Sequence, residues 1–413
     1  MTRFFDAPSI ALAVTALVLA ACSSDDPISG DAIDLLASPA GVGGRMPHLA
    51  ISDNNLVVMS WLESTETGVA LRWATLDSGQ WQAGEEIARG DNWFVNWADF
   101  PSVTPITEDF WAAHWLVRKP GDAYAYDVVA ALSTNSGRNW GTPFVVHDDD
   151  SATEHGFVTL FAWQGQAGAL WLDGRNTNPG SSHEHHSGGM TLRGAQFDAD
   201  ANASYRLELD ALVCDCCQTD VAVTEDGPVA VYRNRTENET RDIHVSRFIN
   251  GQWEADRAIA DDGWVIAGCP VNGPAIAAQG SDVAVTWFTA AEDNLRVRLA
   301  RSNNSGETFG DAIDLDVNTP VGRVDVVQLP HGVTLVSWIT ESNGQAELVV
   351  RSVNADGVAG QRRSIAALSS GRISGFPQME LAGDAVVFAW TDAENGTPSL
   401  RSALVSLDTL LDH

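Results

Sequence analysis

Three cysteines fall within four residues, Cys214-Asp215-Cys216-Cys217, and a fourth, Cys269, lies in Gly268-Cys269-Pro270. Thiolates are soft ligands, so a group of this kind suits Cu(I) or Zn(II). A second group is His183-Glu184-His185-His186, followed by Met190, in a stretch rich in Gly, Ser and Asn. Imidazole and thioether together suit copper. The candidate metal ligands are therefore Cys214, Cys216, Cys217, Cys269, His183, His185, His186 and Met190. The cysteines also have a plainer use: in an oxidising compartment they form disulfides. Four cysteines allow three pairings. A bond between the neighbours Cys216 and Cys217 is strained, so Cys269 is expected to take a partner from the 214–217 group. A His-rich loop is often only solvated surface. The two uses are compatible if the imidazoles hold a metal while the thiols are oxidised.

The N-terminus bears on the compartment. Arg3 is followed by an apolar run from Ile10 to Ala21, too short to span a bilayer comfortably and suited to the core of a signal peptide. It ends in Leu19-Ala20-Ala21-Cys22, which resembles a bacterial lipobox. That resemblance implies removal of residues 1–21, diacylation of Cys22, and a polar tether over 22–31. Ser at position 23 resembles an outer-membrane sorting signal. The expected location is the outer membrane, lipid-anchored, facing either the periplasm or the cell exterior. The formal net charge is −31, and Lys119 is the only lysine. Such a surface repels nucleic acid, which is excluded as a partner class.

The elements that position these residues are strands. The chain has 36 glycines, 16 prolines and 15 tryptophans, and few helix-like segments. One unit recurs along residues 32–413. It consists of a short apolar strand, a stronger strand often ending in Trp, a third strand and a short outer strand. Units start near Pro47, Pro101, Gly156, Asp220, Pro274, Asp325 and Pro377, spaced 51–64 residues apart. Four strands in such a span is the size of a propeller blade. The expected fold is all-β, a single β-propeller of seven four-stranded blades; six blades is the alternative. Ala32-Ile33-Asp34-Leu35-Leu36 precedes the first unit and supplies the outer strand that the seventh lacks, leaving no open edge. Equivalent positions of a propeller lie at the same end of its channel. The 214–217 segment enters the fourth unit as Cys269 enters the fifth, so the four thiols should converge.

Two turns carry a more specific signature, Ser133-Thr134-Asn135-Ser136-Gly137-Arg138-Asn139-Trp140 and Ser302-Asn303-Asn304-Ser305-Gly306-Glu307-Thr308-Phe309. Both resemble the Asp-box of sialidases, Ser-x-Asp-x-Gly-x-x-Trp, with Asn for Asp and, in the second, Phe for Trp. Arg45-Met46-Pro47 resembles the Arg-Ile-Pro motif of that family. The resemblance covers most of residues 43–405. It implies a six-bladed relative and a ligand carboxylate clamped by arginines, for which Arg45, Arg233, Arg235, Arg241 and Arg323 are candidates; Arg175, near the channel end, is a further one. It also implies Asp99 as acid/base, with Glu237 or Glu225 activating a tyrosine. Sialidases take that tyrosine from a late blade. Here the tyrosines are 124, 126, 205 and 232, and none follows Tyr232 in the fourth unit. The catalytic candidates are thus Asp99, Tyr232 and Glu237, with the nucleophile out of its usual place.

The expected function is that of an envelope-anchored propeller binding a ligand or a soft metal, copper or zinc, at the channel mouth without sialidase turnover. One alternative is a glycoside hydrolase acting on acidic sugars, with a glycan or acidic small molecule as ligand. Another is a scaffold for an envelope protein. A hydrolase requires an acid and a nucleophile facing one pocket. A metal binder requires three or more soft ligands within coordination distance.

Overall fold

The computed structural model describes residues 32–411, apart from 122, 178–187, 318, 370 and 395. Its strands form seven separate antiparallel sheets, all but the last made of consecutive strands, so the molecule is a seven-bladed propeller and not a six-bladed one. We number the blades 1 to 7. Their innermost strands are Arg45–Ile51, Ser102–Pro105, His155–Trp163, Asp220–Val223, Ala275–Gln279, Pro320–Gln328 and Gln378–Ala382. Asp34–Leu36 pairs with Thr397–Ser406 and becomes the outer strand of blade 7, with Leu35 opposite Ala403. Among the described residues, no helix is long and apolar enough to cross a membrane.

Burial follows the layering. The second strand of a blade is covered on both faces by neighbouring blades, so it reads as a continuous apolar run. Val57–Ser64 and Pro228–Arg233 are buried at nearly every position, whereas the outer strand Ala203–Val213 is largely exposed or half-buried. Seven apolar clusters fill the seven seams between adjacent blades. One aromatic residue occupies the same place in every second strand: Trp61, Trp115, Trp171, Tyr232, Trp287, Trp338 and Trp390. Five of their polar tips bond to acids, those of Trp61 and Trp171 to Glu63 and Asp173 on their own strands. In the other three the acid comes from the preceding blade: Trp287 Nε1 donates to Asp262 (2.7 Å), Trp338 Nε1 to Asp316 (2.8 Å) and the Tyr232 hydroxyl to Asp210 (2.9 Å). A buried indole N–H or phenol needs such a partner.

Polar bonds also cross every seam near the channel. His48 bonds the backbone of Val103, Asp99 accepts from Phe157 N (2.8 Å), and Thr159 donates to Thr219 O (2.6 Å). Asp220 accepts from Ile276 N (2.9 Å), Asn272 from Arg323 N (2.7 Å) and Asp325 from Met379 N (2.6 Å). Thr391 accepts from Met46 N (2.9 Å) and closes the ring. These bonds satisfy backbone N–H and C=O groups at the edges of the short inner strands. The two signature turns join third to fourth strands, on the face opposite the site described below. In each, a serine hydroxyl (Ser133 or Ser302) accepts from the glycine N–H at 3.0 Å, and an asparagine accepts from the amide four residues on.

Candidate functional site

The cysteine segment connects the outer strand of blade 3 to the inner strand of blade 4, and Cys269 lies on the next such connection. Cys214 Sγ is 3.3 Å from Cys217 Sγ and 3.9 Å from Cys216 Sγ. The three sulfurs lie within 4.8 Å of one another, and Cys269 interacts with Cys216. All four are free thiols. No disulfide joins them here, so the expected pairing of Cys269 is unsupported; even the 3.3 Å between Cys214 and Cys217 is well beyond the roughly 2.05 Å of a bond. Cys214 and Cys217 are buried, while Cys269 is exposed.

The electrostatics of the group are asymmetric. Burial alone would raise the Cys214 thiol. Hydrogen bonds from Cys216 and Cys217 and the charges of Arg241 and Arg233 outweigh it, and hold that thiol well below the usual range. Arg241 Nη1 lies 3.2 Å from Cys214 Sγ. The opposite holds for Cys216, pushed up by bonds to the other thiols and by burial, and for Cys217, pushed up mainly by burial. Cys269 is lowered by its contact with Cys216. Around this core Glu239 bridges two cations, 2.6 Å from Arg235 and 2.8 Å from Arg241, and Arg235 also reaches Asp215 at 3.2 Å. Arg241, a clamp candidate by sequence, instead faces the thiols; it sits on a turn of blade 4 that only the fold brings over Cys214.

Asp99 does not meet Tyr232 or Glu237. Its partner is Tyr126, whose hydroxyl lies 2.8 Å from both Asp99 Oδ2 and Glu154 Oε1. One phenolic proton serves only one of these contacts, so the other needs a proton on a carboxyl. Burial supplies the reason. It pushes Asp99 up to about 7, its bonds from Tyr126 and Phe157 offsetting only part of the effect. It pushes Glu154 well above the usual carboxylate range, helped by the negative charges of Asp99, Asp215 and Cys269. Tyr126 is itself raised, by burial and by the two carboxylates, which is the reverse of what an activated nucleophile requires. Tyr232 fills the blade-4 aromatic position and gives its hydroxyl to Asp210, while Glu237 is exposed.

The candidate arginines are engaged individually and do not form one clamp. Arg233 donates to the carbonyls of Asn272, Arg241 and Phe288 and stacks on Trp264 at 4.8 Å. Arg323 bonds Gly371 O and Gly375 O, both at 3.0 Å, over the Trp97 ring. Arg45 bonds Gly43 O and Ser64 Oγ. Arg175 grips Asp173 (2.8 Å) and Asp148 (2.9 Å). Met190 is buried in the apolar seam between blades 3 and 4. His183, His185, His186 and the anchor residue Cys22 lie outside the described residues. The channel holds a cavity of about 90 Å³ lined by His48, Asp99, Asp220 and Asp325 among others. That is below the roughly 300 Å³ at which small-molecule pockets begin.

No family model and no curated protein matches the chain. Solved structures do. A protein of unknown function from Dyadobacter fermentans has a TM-score of 0.51 at 12% identity, over 91% of this chain and 97% of that one. The Hadza microbial sialidase Hz136 has a TM-score of 0.50 at 11% identity, over 84% and 75%. The NanB sialidase of Streptococcus pneumoniae has a TM-score of 0.47 at 9% identity, over 86% and 84%. At such identities the likeness is one of fold: the chain is a propeller that resembles distant sialidase-type propellers, and it carries a group of side chains able to coordinate a metal or ligand.

Proposed function

We propose that this chain is an envelope-tethered propeller that binds a soft metal ion, Cu(I) or Zn(II), through Cys214, Cys216, Cys217 and Cys269. The observation that carries the reading is the convergence of three thiols within 4.8 Å beside a fourth, with Arg241 against Cys214 Sγ. Thiolates repel one another, and a buried cluster of them needs cations. Arg241 supplies one and a metal supplies the rest. Cys214 is the ligand already favoured as thiolate; Cys216 and Cys217 would surrender protons on binding. Cys269, exposed at the rim, is the first ligand an incoming ion would meet. The leader ending in Cys22 supports the tether and an exported setting. Turnover of acidic sugars has weaker support, because the arginines are spent separately and the channel cavity is small.

The test is the metal content and thiol count of protein lacking residues 1–22, made in an exporting host and purified without chelator. The expected result is one equivalent of copper or zinc, falling below about a tenth of that in Cys217→Ser. Two disulfides and no bound metal would overturn the proposal.

A further inference from the structure

A second group of ligand-type side chains lies between blades 2 and 3, and the thiol reading makes no use of it. Asp127 is on the third strand of blade 2, His147 just beyond its fourth, and His155 opens the inner strand of blade 3. Both imidazoles are fully enclosed. His147 Nε2 is 3.2 Å from Asp127 Oδ1, and His155 Nδ1 is 3.9 Å from the same oxygen. Neither nitrogen of His147, nor Asp127 Oδ1, has a properly directed hydrogen-bond partner among the described residues. Two buried polar groups arranged in this way are costly unless a third party engages both.

We infer that Asp127 Oδ1, His147 Nε2 and His155 Nδ1 form a site for a borderline divalent cation such as Zn(II), separate from the thiols. Metal–ligand bonds of 2.0–2.1 Å in a tetrahedron place ligand atoms about 3.3 Å apart. The spacings of 3.2 and 3.9 Å bracket that value. His155 Nε2 lies 3.0 Å from Asp149 Oδ2. His155 Nδ1 lies 3.3 Å from Tyr126 O, to which it donates in the other tautomer; a proton moved to Nε2 and donated to Asp149 frees the Nδ1 lone pair for an ion and gives the outer support that metal-bound histidines usually have. Two features set the cost of binding. The imidazoles stack at 3.9 Å with an interplanar angle of 11°, so their rings must tilt apart. Lys119 Nζ, 3.2 Å from Asp127 Oδ1, is the competing cation; its side chain is 20% exposed and has room to swing out.

Cobalt(II) separates the two sites. Bound to thiolate it shows sulfur-to-metal charge transfer; bound to nitrogen and oxygen alone it shows only ligand-field bands. Titrated into the metal-free full chain, it should occupy one equivalent of the second kind. Asp127→Asn and His147→Gln should abolish that equivalent and spare the charge-transfer band. Lys119→Met, a change at a partly exposed side chain that removes the competitor, should tighten it by about tenfold. No sulfur-free equivalent, or one indifferent to both Asp127→Asn and Lys119→Met, would overturn the inference and mark any such cobalt as adventitious. Loss of the charge-transfer band alone would count against the thiol site only.

Discussion

At the scale of single residues, this protein holds ionisable groups away from water and tunes them by their neighbours. Asp99 illustrates the consequence. Its pKa stands at about 7 in the folded protein against 3.8 as a free group, because burial disfavours the charged form. The folded state therefore keeps a proton that the unfolded chain has lost, and stability falls as pH rises between those values, then levels off. Asp220, raised to about 6, and Glu380, raised to about 7, act in the same direction. Asp99→Asn keeps the bond from Phe157 N and can donate to Tyr126 Oη. We expect it to flatten this dependence and to stabilise the protein at pH 8 by on the order of 1–3 kcal/mol. Chemical denaturation at pH 4 and pH 8 measures it; identical profiles for the two proteins would count against a buried, protonated Asp99. Arg241→Gln should raise the pH midpoint of Cys214 thiolate formation, read from thiolate absorbance, because it removes the cation 3.2 Å from the sulfur; an unchanged midpoint would count against that role.

At the scale of the element, the blade is a repeated solution to one problem, how to bury a sheet on both faces and still satisfy its polar tips. The second strands solve it with an aromatic whose indole or phenol reaches an acid. Tyr232 makes this bond in blade 4 where the other blades carry tryptophan, so its hydroxyl is taken up by packing. The turns between third and fourth strands show a similar economy. Gly137 adopts φ +77°, and a Cβ there would come within 2.6 Å of the Trp73 ring. Both the dihedral and the space exclude a side chain. Gly137→Ala should cost about 1–3 kcal/mol in equilibrium unfolding, with little change in metal binding, since the turn lies on the far face. A loss of metal with unchanged stability would contradict that separation.

At the scale of the molecule, the ring is closed by three residues from the other end of the chain. Asp34–Leu36 pairs with Thr397–Ser406 and covers what would otherwise be an open edge of blade 7. Deleting the chain through Leu36 should lower the thermal midpoint by roughly 5 °C or more and promote association, seen by light scattering during heating. Unchanged melting would mean that the seams alone hold the ring. Those seams carry seven apolar clusters and a polar bond each, so strain at one blade is passed to its neighbours.

Much of this was legible in the sequence because it repeats. Apolar runs ending in an aromatic, at 51–64-residue intervals, require sheets buried on both faces, and seven of them with a spare N-terminal strand imply seven blades closed by it. Equivalent entry positions likewise bring Cys214, Cys216 and Cys217 toward Cys269, since radial symmetry places equal positions side by side. What repetition does not encode is which unlike residues meet across a seam. Arg241 reaches Cys214 from a turn 27 residues away. Tyr126 joins Asp99 to Glu154, and His147 meets Asp127 and His155, through contacts between different blades or strand ends. The charge state of these groups, and whether an arginine faces a ligand or a carbonyl, depends on burial and on neighbours distant in sequence. Only the folded ring supplies both.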